Sequence, residues 1–216
     1  MTKVAICLPC RDMVNTGFAY DLARMMAQWS AKYVNQGHQL LIFNSQGTLI
    51  VNQRADLARN AVEAGADYIL WLDTDMRFPK DTLERLLKHK KSIVAANYAT
   101  RRIPVDTVAF RLHESGAWDT VKTGDKTGLE KVEAVGMGVM LMDTKVLKEM
   151  PKPWFSITYH PDSNEYSGED IFFCYKANKL GHEVLIDHDL SKEVKHIGSF
   201  EFGHEHVDAI EQEESK

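Results

Sequence analysis

At 216 residues, with a formal net charge of −5, 44% hydrophobic and 26% charged residues, the chain has the make-up of one soluble globular domain able to bury a sizeable core. That balance excludes a strongly basic nucleic-acid-binding domain, a disordered chain and a pair of independent enzymatic domains, while a local basic groove stays open. Cys7, Cys10 and Cys174 are odd in number, which argues against a disulfide framework, and the single C-x-x-C lacks the second pair that a zinc site needs.

In chain order, the first apolar run, VAICLP (4–9), shows no alternation and reads as a strand buried on both faces. It meets a proline and an Arg-Asp pair too early for a secretory leader, and no apolar run reaches the roughly 18 residues of a membrane span, so a reducing cytoplasm is the expected location. Phe18, Leu22, Met25, Met26, Trp29 and Tyr33 recur at helical spacing, with Thr16 placed as N-cap and Gly37 closing the connection. HQLLIF (38–43) is a second strand, and a helix over 54–64 carries Leu57, Ala58, Ala61 and Val62 on one face. A third strand, 67–72, ends in Asp73-Thr74-Asp75. Asp81 and Glu84 then read as a capping box before Leu83, Leu86 and Leu87, and 92–98 is a fourth buried strand. This alternation predicts a mainly parallel sheet with helices on both faces.

From Pro104 the pattern changes. Strand-like TVAFRL and AVGMGVMLM flank a turn-rich stretch over 113–128, without intervening helices, so the sheet is expected to become mixed. A short helix stops at Pro151, and an aromatic and proline-rich loop runs to Tyr166. SGEDIFFCYKANKL forms a helix closed by Gly181, EVLID and EVKHIG are short strands, and EQEESK ends the chain as a frayed tail.

Ligands of open parallel sheets sit beyond the carboxyl ends of the strands, where Asp73 and Asp75 fall. Two residues apart at a strand end, their carboxylates can face one cation, and hard oxygen ligands suit Mg²⁺ or Mn²⁺. A D-x-D tripeptide is equally at home in a solvated loop, so its context has to decide.

The aromatic-apolar strand, its D-x-D exit and the following Phe78-Pro79 resemble the metal-binding element of the GT-A glycosyltransferases, nucleotide-sugar-dependent enzymes built on one Rossmann-like domain. The resemblance runs over about residues 3–198, as pattern more than identity. It implies a single GT-A domain over 1–198, with a nucleotide-binding half over about 1–100, an acceptor half over 101–198 and a tail over 199–216. LPCRD resembles the family's first strand end, which implies donor contacts at Pro9, Arg11 and Asp12. The helix before the D-x-D strand resembles the family's arginine-bearing helix, with Arg54 or Arg59 on the diphosphate or nucleotide beside Asp73, Thr74 and Asp75. Gly136, Met137 and Gly138 resemble the glycine-containing strand of the acceptor side, where the missing side chains let backbone approach ligand. The Glu169-Asp170 helix start resembles the position of the acceptor base, with Asp170 as base and Glu169 beside it. His196 looks like the late histidine that joins Asp75 as metal ligand, Asp73 acting through water or the ribose.

The resemblance implies transfer of a hexosyl or pentosyl group from a nucleoside-diphosphate sugar, UDP-sugar favoured, to an acceptor hydroxyl, with inversion and with Mn²⁺ or Mg²⁺ as cofactor. Small members of this kind are bacterial or bacteriophage enzymes, whose acceptors include glycans, proteins and hydroxymethylated bases in phage DNA. The basic run at 88–91 and the pair Arg101-Arg102 are the features that could follow phosphates. Several residues also have purely structural readings: Ser167 and Asp170 as a capping pair, His196 as a half-buried core histidine, the arginines as solvated helix residues. Two rivals stand beside the transferase. A phosphohydrolase with a D-x-D nucleophile would want Thr or Val where Arg77 stands, and a catalytically inactive nucleotide-sugar binder would not need the full set of Asp73, Asp75, Asp170 and His196.

Overall fold

Lys3–Cys10 (β1) is buried along almost its whole length, because both faces of the sheet are covered by helices. The structure is a computed structural model that describes residues 1–113 and 118–198. The C-terminal tail expected over 199–216 and part of the turn-rich stretch lie outside the described residues.

The first half follows the expected alternation. Thr16–Tyr33 (α1), Gln39–Gln46 (β2), Ile50–Glu63 (α2), Tyr68–Leu72 (β3), the short Met76–Arg77 (β4), Thr82–Lys88 (α3) and Ile93–Ala95 (β5) come in turn. Two caps differ from the sequence reading. Asn15, not Thr16, caps α1, its side chain accepting from the Gly17 N–H at 2.8 Å. The capping box at α3 does not form: Asp81 makes no capping bond, and Glu84 instead accepts from Lys32, Gln28 and Tyr33 of α1. A cation and two neutral donors on a packed helix outcompete one local amide.

After Ala109–Leu112 (β6), Trp118–Thr120 (β7), Leu129–Val132 (β8) and Ala134–Val135 (β9) comes Val139–Asp143 (β10), followed by Thr144–Glu149 (α4). Thr158–His160 (β11) and Glu165–Ser167 (β12) form a hairpin inside the stretch expected to be loop. Glu169–Lys179 (α5), Val184–Asp187 (β13), His188–Ser191 (α6) and Lys195–His196 (β14) complete the described chain.

The central sheet has the order β2-β1-β3-β10-β5-β13-β8. β1 is parallel to both β2 and β3, and β5 is parallel to β13. β10 enters antiparallel between β3 and β5, placing Leu141 opposite Leu70 on one side and Val94 on the other. The sheet is therefore mixed at its centre, beside the third strand, and not only at a late edge. Alternate residues feed two cores: Cys7, Trp71, Met140 and Ile186 pack with α2 and α5, while Ile6, Leu70, Leu141 and Leu185 pack with α1, α3 and α6. Cys7, Cys10 and Cys174 are all buried thiols, and burial pushes Cys7 and Cys174 up to about 12.

The antiparallel entry of β10 is what builds the site. It brings the Gly136–Gly138 turn against the exit of β3, where the Asp73 N–H donates to the Gly138 carbonyl at 3.0 Å.

Candidate functional site

The D-x-D segment is held from three directions by backbone. The Met76 N–H closes a turn on the Asp73 carbonyl, the Asn15 N–H donates to the Thr74 carbonyl, and the Ile197 N–H donates to the Asp75 carbonyl at 2.8 Å. β14 pairs with β4, His196 opposite Met76, so the last described strand is laid against the loop following β3.

Asp73 and Asp75 take different partners. Asp73 accepts from Arg54 Nη2 at 3.0 Å, and Arg54 Nε reaches Glu169 at 2.8 Å, so one guanidinium ties the β3 exit to the start of α5. Arg54 is 3% exposed and lies over the Trp71 ring, 5.4 Å from its centroid. Burial works against its charge, but Asp73 and Glu169 outweigh burial and raise its pKa further. Its Nη1 is buried and has no hydrogen-bond partner among the described residues.

Asp75 Oδ2 lies 2.7 Å from Arg101 Nη1 and 3.4 Å from His196 Nε2. Burial pushes Asp75 up, yet His196 and Arg101 prevail and hold it below the ordinary carboxylate value. His196 Nδ1 lies 3.0 Å from the Ala99 carbonyl, which can only accept, so Nδ1 carries a proton, and Nε2 faces Asp75. The ring also stands edge-on to Tyr98, with centroids 5.3 Å apart. A carboxylate beside an imidazole whose far nitrogen is fixed by a carbonyl is the donor set that suits a divalent cation such as Mn²⁺. Among the described residues no group of three His, Cys, Asp or Glu side chains converges on one point, so a cation here would draw further oxygens from its ligand.

α5 starts at Gly168, which makes no side-chain cap. The alternative reading of Ser167 and Asp170 as a capping pair is not realised, because Ser167 Oγ pairs with His160 at 2.7 Å and Asp170 Oδ1 accepts from the adjacent Ile171 N–H at 2.8 Å. With Glu169 committed to Arg54, Asp170 is the carboxylate left without a cationic hydrogen-bond partner. Burial, then the charge of Glu169, raise it from 3.8 to about 6, against the lowering pull of the Ile171 N–H and Arg54.

The structure separates the two arginines that the sequence left open. Arg59 is exposed and pairs with Asp56 on the outer side of α2, outside the hydrogen-bonded network of Arg54. Five helical positions turn a side chain by about 500°, or roughly 140° away from the face that Arg54 occupies. The two glycines before β10 pack closely on one side chain. A Cβ at Gly136 or Gly138 would meet Tyr98 Oη at 2.5 or 2.7 Å, so the backbone's close approach here is to Tyr98, whose hydroxyl accepts from the Gly138 N–H at 3.1 Å. Met137 between them is buried in the core. Burial raises the Tyr98 hydroxyl's pKa, and the charges of Asp73 and Asp170 raise it further.

Pro9 and Arg11 line an open cavity of about 370 Å³ with Cys10, Gly47, Thr48, Ile50 and Gln53, at the carboxyl ends of β1 and β2. Asp12 is exposed on the same loop, and Thr74 lines a neighbouring apolar cleft between α1 and β2. Sequence reasoning missed Gln53. Its Nε2 donates to the Gly47 carbonyl at 2.9 Å, which fixes the amide's orientation and leaves Oε1 buried without a partner among the described residues. The available signal was positional: Gln53 and Arg54 fall on the face of α2 that otherwise carries Leu57, Ala58 and Ala61 into the core.

No family model matches the sequence, and no curated protein does. Among solved structures the chain is similar to A197 from STIV, at 12% identity and a TM-score of 0.55, over 94% of this chain and 99% of that one. S. aureus TarS 1-349 is 14% identical with a TM-score of 0.47, over 91% of this chain, which spans 60% of that one. A glycosyltransferase involved in the glycosylation of the major capsid of PBCV-1 is 13% identical with a TM-score of 0.35, over 70% of this chain and 68% of that one. The likeness to A197 is one of fold. The chain is an α/β domain with a central mixed sheet between layers of helices. No helix among the described residues is long and apolar enough to cross a membrane.

Proposed function

We propose that the protein is a glycosyltransferase that takes a nucleoside-diphosphate sugar as donor and transfers the sugar, with inversion, to an acceptor hydroxyl. One observation carries the reading: consecutive residues of α2 present two buried atoms of opposite character without partners among the described residues, the acceptor Gln53 Oε1 and the donor Arg54 Nη1. Buried polar groups ordinarily find partners, so such a pair points to a ligand with an N–H at one end and anionic oxygen at the other. A nucleotide fits that pattern, its base in the Pro9–Gln53 cavity and its diphosphate toward Arg54. An imide N–H, as in uracil, suits Gln53 Oε1 better than a ring nitrogen that only accepts, which favours a UDP-sugar.

Asp170, raised toward neutrality and free of a cation, is suited to be the base. It takes the proton of the acceptor hydroxyl while that oxygen forms its bond to the anomeric carbon. The bond from that carbon to the diphosphate oxygen breaks, and the electron pair leaves on the nucleoside diphosphate. Arg54, through the Nη1 that lacks a partner among the described residues, would meet the developing charge. Asp75 and His196 would hold Mn²⁺ or Mg²⁺, which when bound supplies further charge neutralisation to the leaving diphosphate.

Isothermal titration of UDP- and GDP-sugars, with Mn²⁺ and with excess chelator, tests this. Donor binding that requires the metal and weakens about fivefold in Gln53→Met supports it. No binding of any sugar nucleotide refutes it.

A further inference from the structure

The hairpin β11–β12 leads directly into the helix that carries Asp170. Tyr159 and Tyr166 are a cross-strand pair on it, with ring centroids 5.1 Å apart and planes inclined by 45°. They are 48% and 73% exposed, and Ile157, two residues before Tyr159, is 48% exposed. Tyr166 precedes Asp170 by four residues, which limits their separation to about 14 Å. An exposed aromatic pair this near Asp170 offers a contact surface.

Charge identifies the occupant. From Trp154 to Tyr175 the chain has no Lys or Arg and carries Asp162, Glu165, Glu169 and Asp170. The flanking lysines are engaged elsewhere: Lys152 lies over Trp154, and Lys176 donates to the carbonyls of Pro151 and Pro153. The basic run does not serve this surface either. Lys88 and Lys90 line a cavity with Thr2, His38 and Tyr68, at the amino ends of β1, β2 and β3, away from the carboxyl end that holds Asp73. Aromatic platforms for nucleic acid are interleaved with cations that follow the phosphates, and the segment that carries this one has acidic residues and no Lys or Arg. An uncharged ring with apolar C–H faces and hydroxyl edges meets no such repulsion, and Tyr hydroxyls and carboxylates can bond its edges.

We propose that Tyr159 and Tyr166 form an acceptor platform for a neutral saccharide, and that the acceptor hydroxyl belongs to a glycan and not to DNA. The acceptor role rests on the transferase reading above; the saccharide contact does not.

The test uses the full chain on an array of neutral and acidic glycans, with hits titrated by saturation-transfer NMR in wild type, Tyr159→Ala, Tyr166→Ala and Tyr166→Phe. The expected result is binding of neutral oligosaccharides, insensitive to salt, weakened at least about fivefold in either Ala variant and retained in the Phe variant. Melting temperatures confirm that the variants fold. No neutral glycan bound, or equal binding in the Ala variants, overturns the proposal. Binding of a single-stranded oligodeoxynucleotide that is lost in Tyr166→Ala and falls steeply with salt also overturns it, in favour of nucleic acid. The same panel of UDP- and GDP-sugars, titrated into wild type, keeps the two readings apart. Saccharide binding without donor binding leaves the platform and removes the transferase, and donor binding without saccharide binding does the reverse.

Discussion

Replacing Asp170 by Asn separates a catalytic role from a structural one, because the structure predicts opposite changes in activity and stability. Asn keeps the shape and an oxygen to accept from the Ile171 N–H. It cannot take a proton from an acceptor, so transfer should fall by roughly 10²–10⁴-fold. Its effect on stability follows from the carboxyl's rise from 3.8 to about 6. The folded protein resists ionising this group, at about 1.36 kcal/mol for each pH unit, or ~3 kcal/mol in all. Partial exposure of the residue reduces that to about 2 kcal/mol. The sign is fixed by linkage: below about pH 4 the group is protonated both folded and unfolded, and the penalty is absent. Stability is lost as pH rises to about 6, and the full penalty persists above it. Asp170→Asn should therefore match wild type in melting temperature at pH 4 and exceed it at pH 8, by about 4–8 °C for a chain of this size. Wild-type kcat/KM should rise through about pH 6 as the base ionises. Scanning calorimetry at the two pH values and steady-state transfer assays supply the measurements. Turnover near wild type in the Asn variant, or a melting difference that does not change with pH, would refute the reasoning.

For the cation, Asp75→Ala and His196→Ala should each abolish the gain in donor affinity that Mn²⁺ gives, read by calorimetry with and without chelator; a gain that survives both substitutions removes the site. Arg54→Met leaves Asp73 and Glu169 facing each other without their shared cation, which should destabilise the fold by about 3–5 kcal/mol in urea titrations. Adding Asp73→Asn and Glu169→Gln to Arg54→Met should restore much of that loss, and no restoration would mean that packing on Trp71, not charge, sets the effect. Gly136→Ala places a Cβ 2.5 Å from Tyr98 Oη and should cost about 1–3 kcal/mol, part of which Tyr98→Phe recovers in a double-mutant cycle. An unperturbed Gly136→Ala variant would show that Tyr98 moves aside freely.

The sequence by itself determined the features whose physics is local. Apolar runs without alternation marked β1, β3 and β5 as doubly covered strands, and the 3.6-residue period marked α1 and α2. The D-x-D at the exit of β3 and the Glu169-Asp170 start of α5 were readable because turns and helix starts are set by neighbouring residues. Tertiary structure alone decided the rest, since each outcome turned on a competitor distant in the chain. Glu84 left its cap for Lys32, 52 residues away. Arg54 rather than Arg59 joined Asp73 and Glu169, because only its face of α2 is turned to the sheet. The two glycines admitted Tyr98, and β10 entered between β3 and β5, where burying Val139–Asp143 between two apolar strands outweighs keeping the sheet parallel. Periodicity records which face of an element is buried, whereas the identity of what buries it is settled only when elements far apart in sequence pack together.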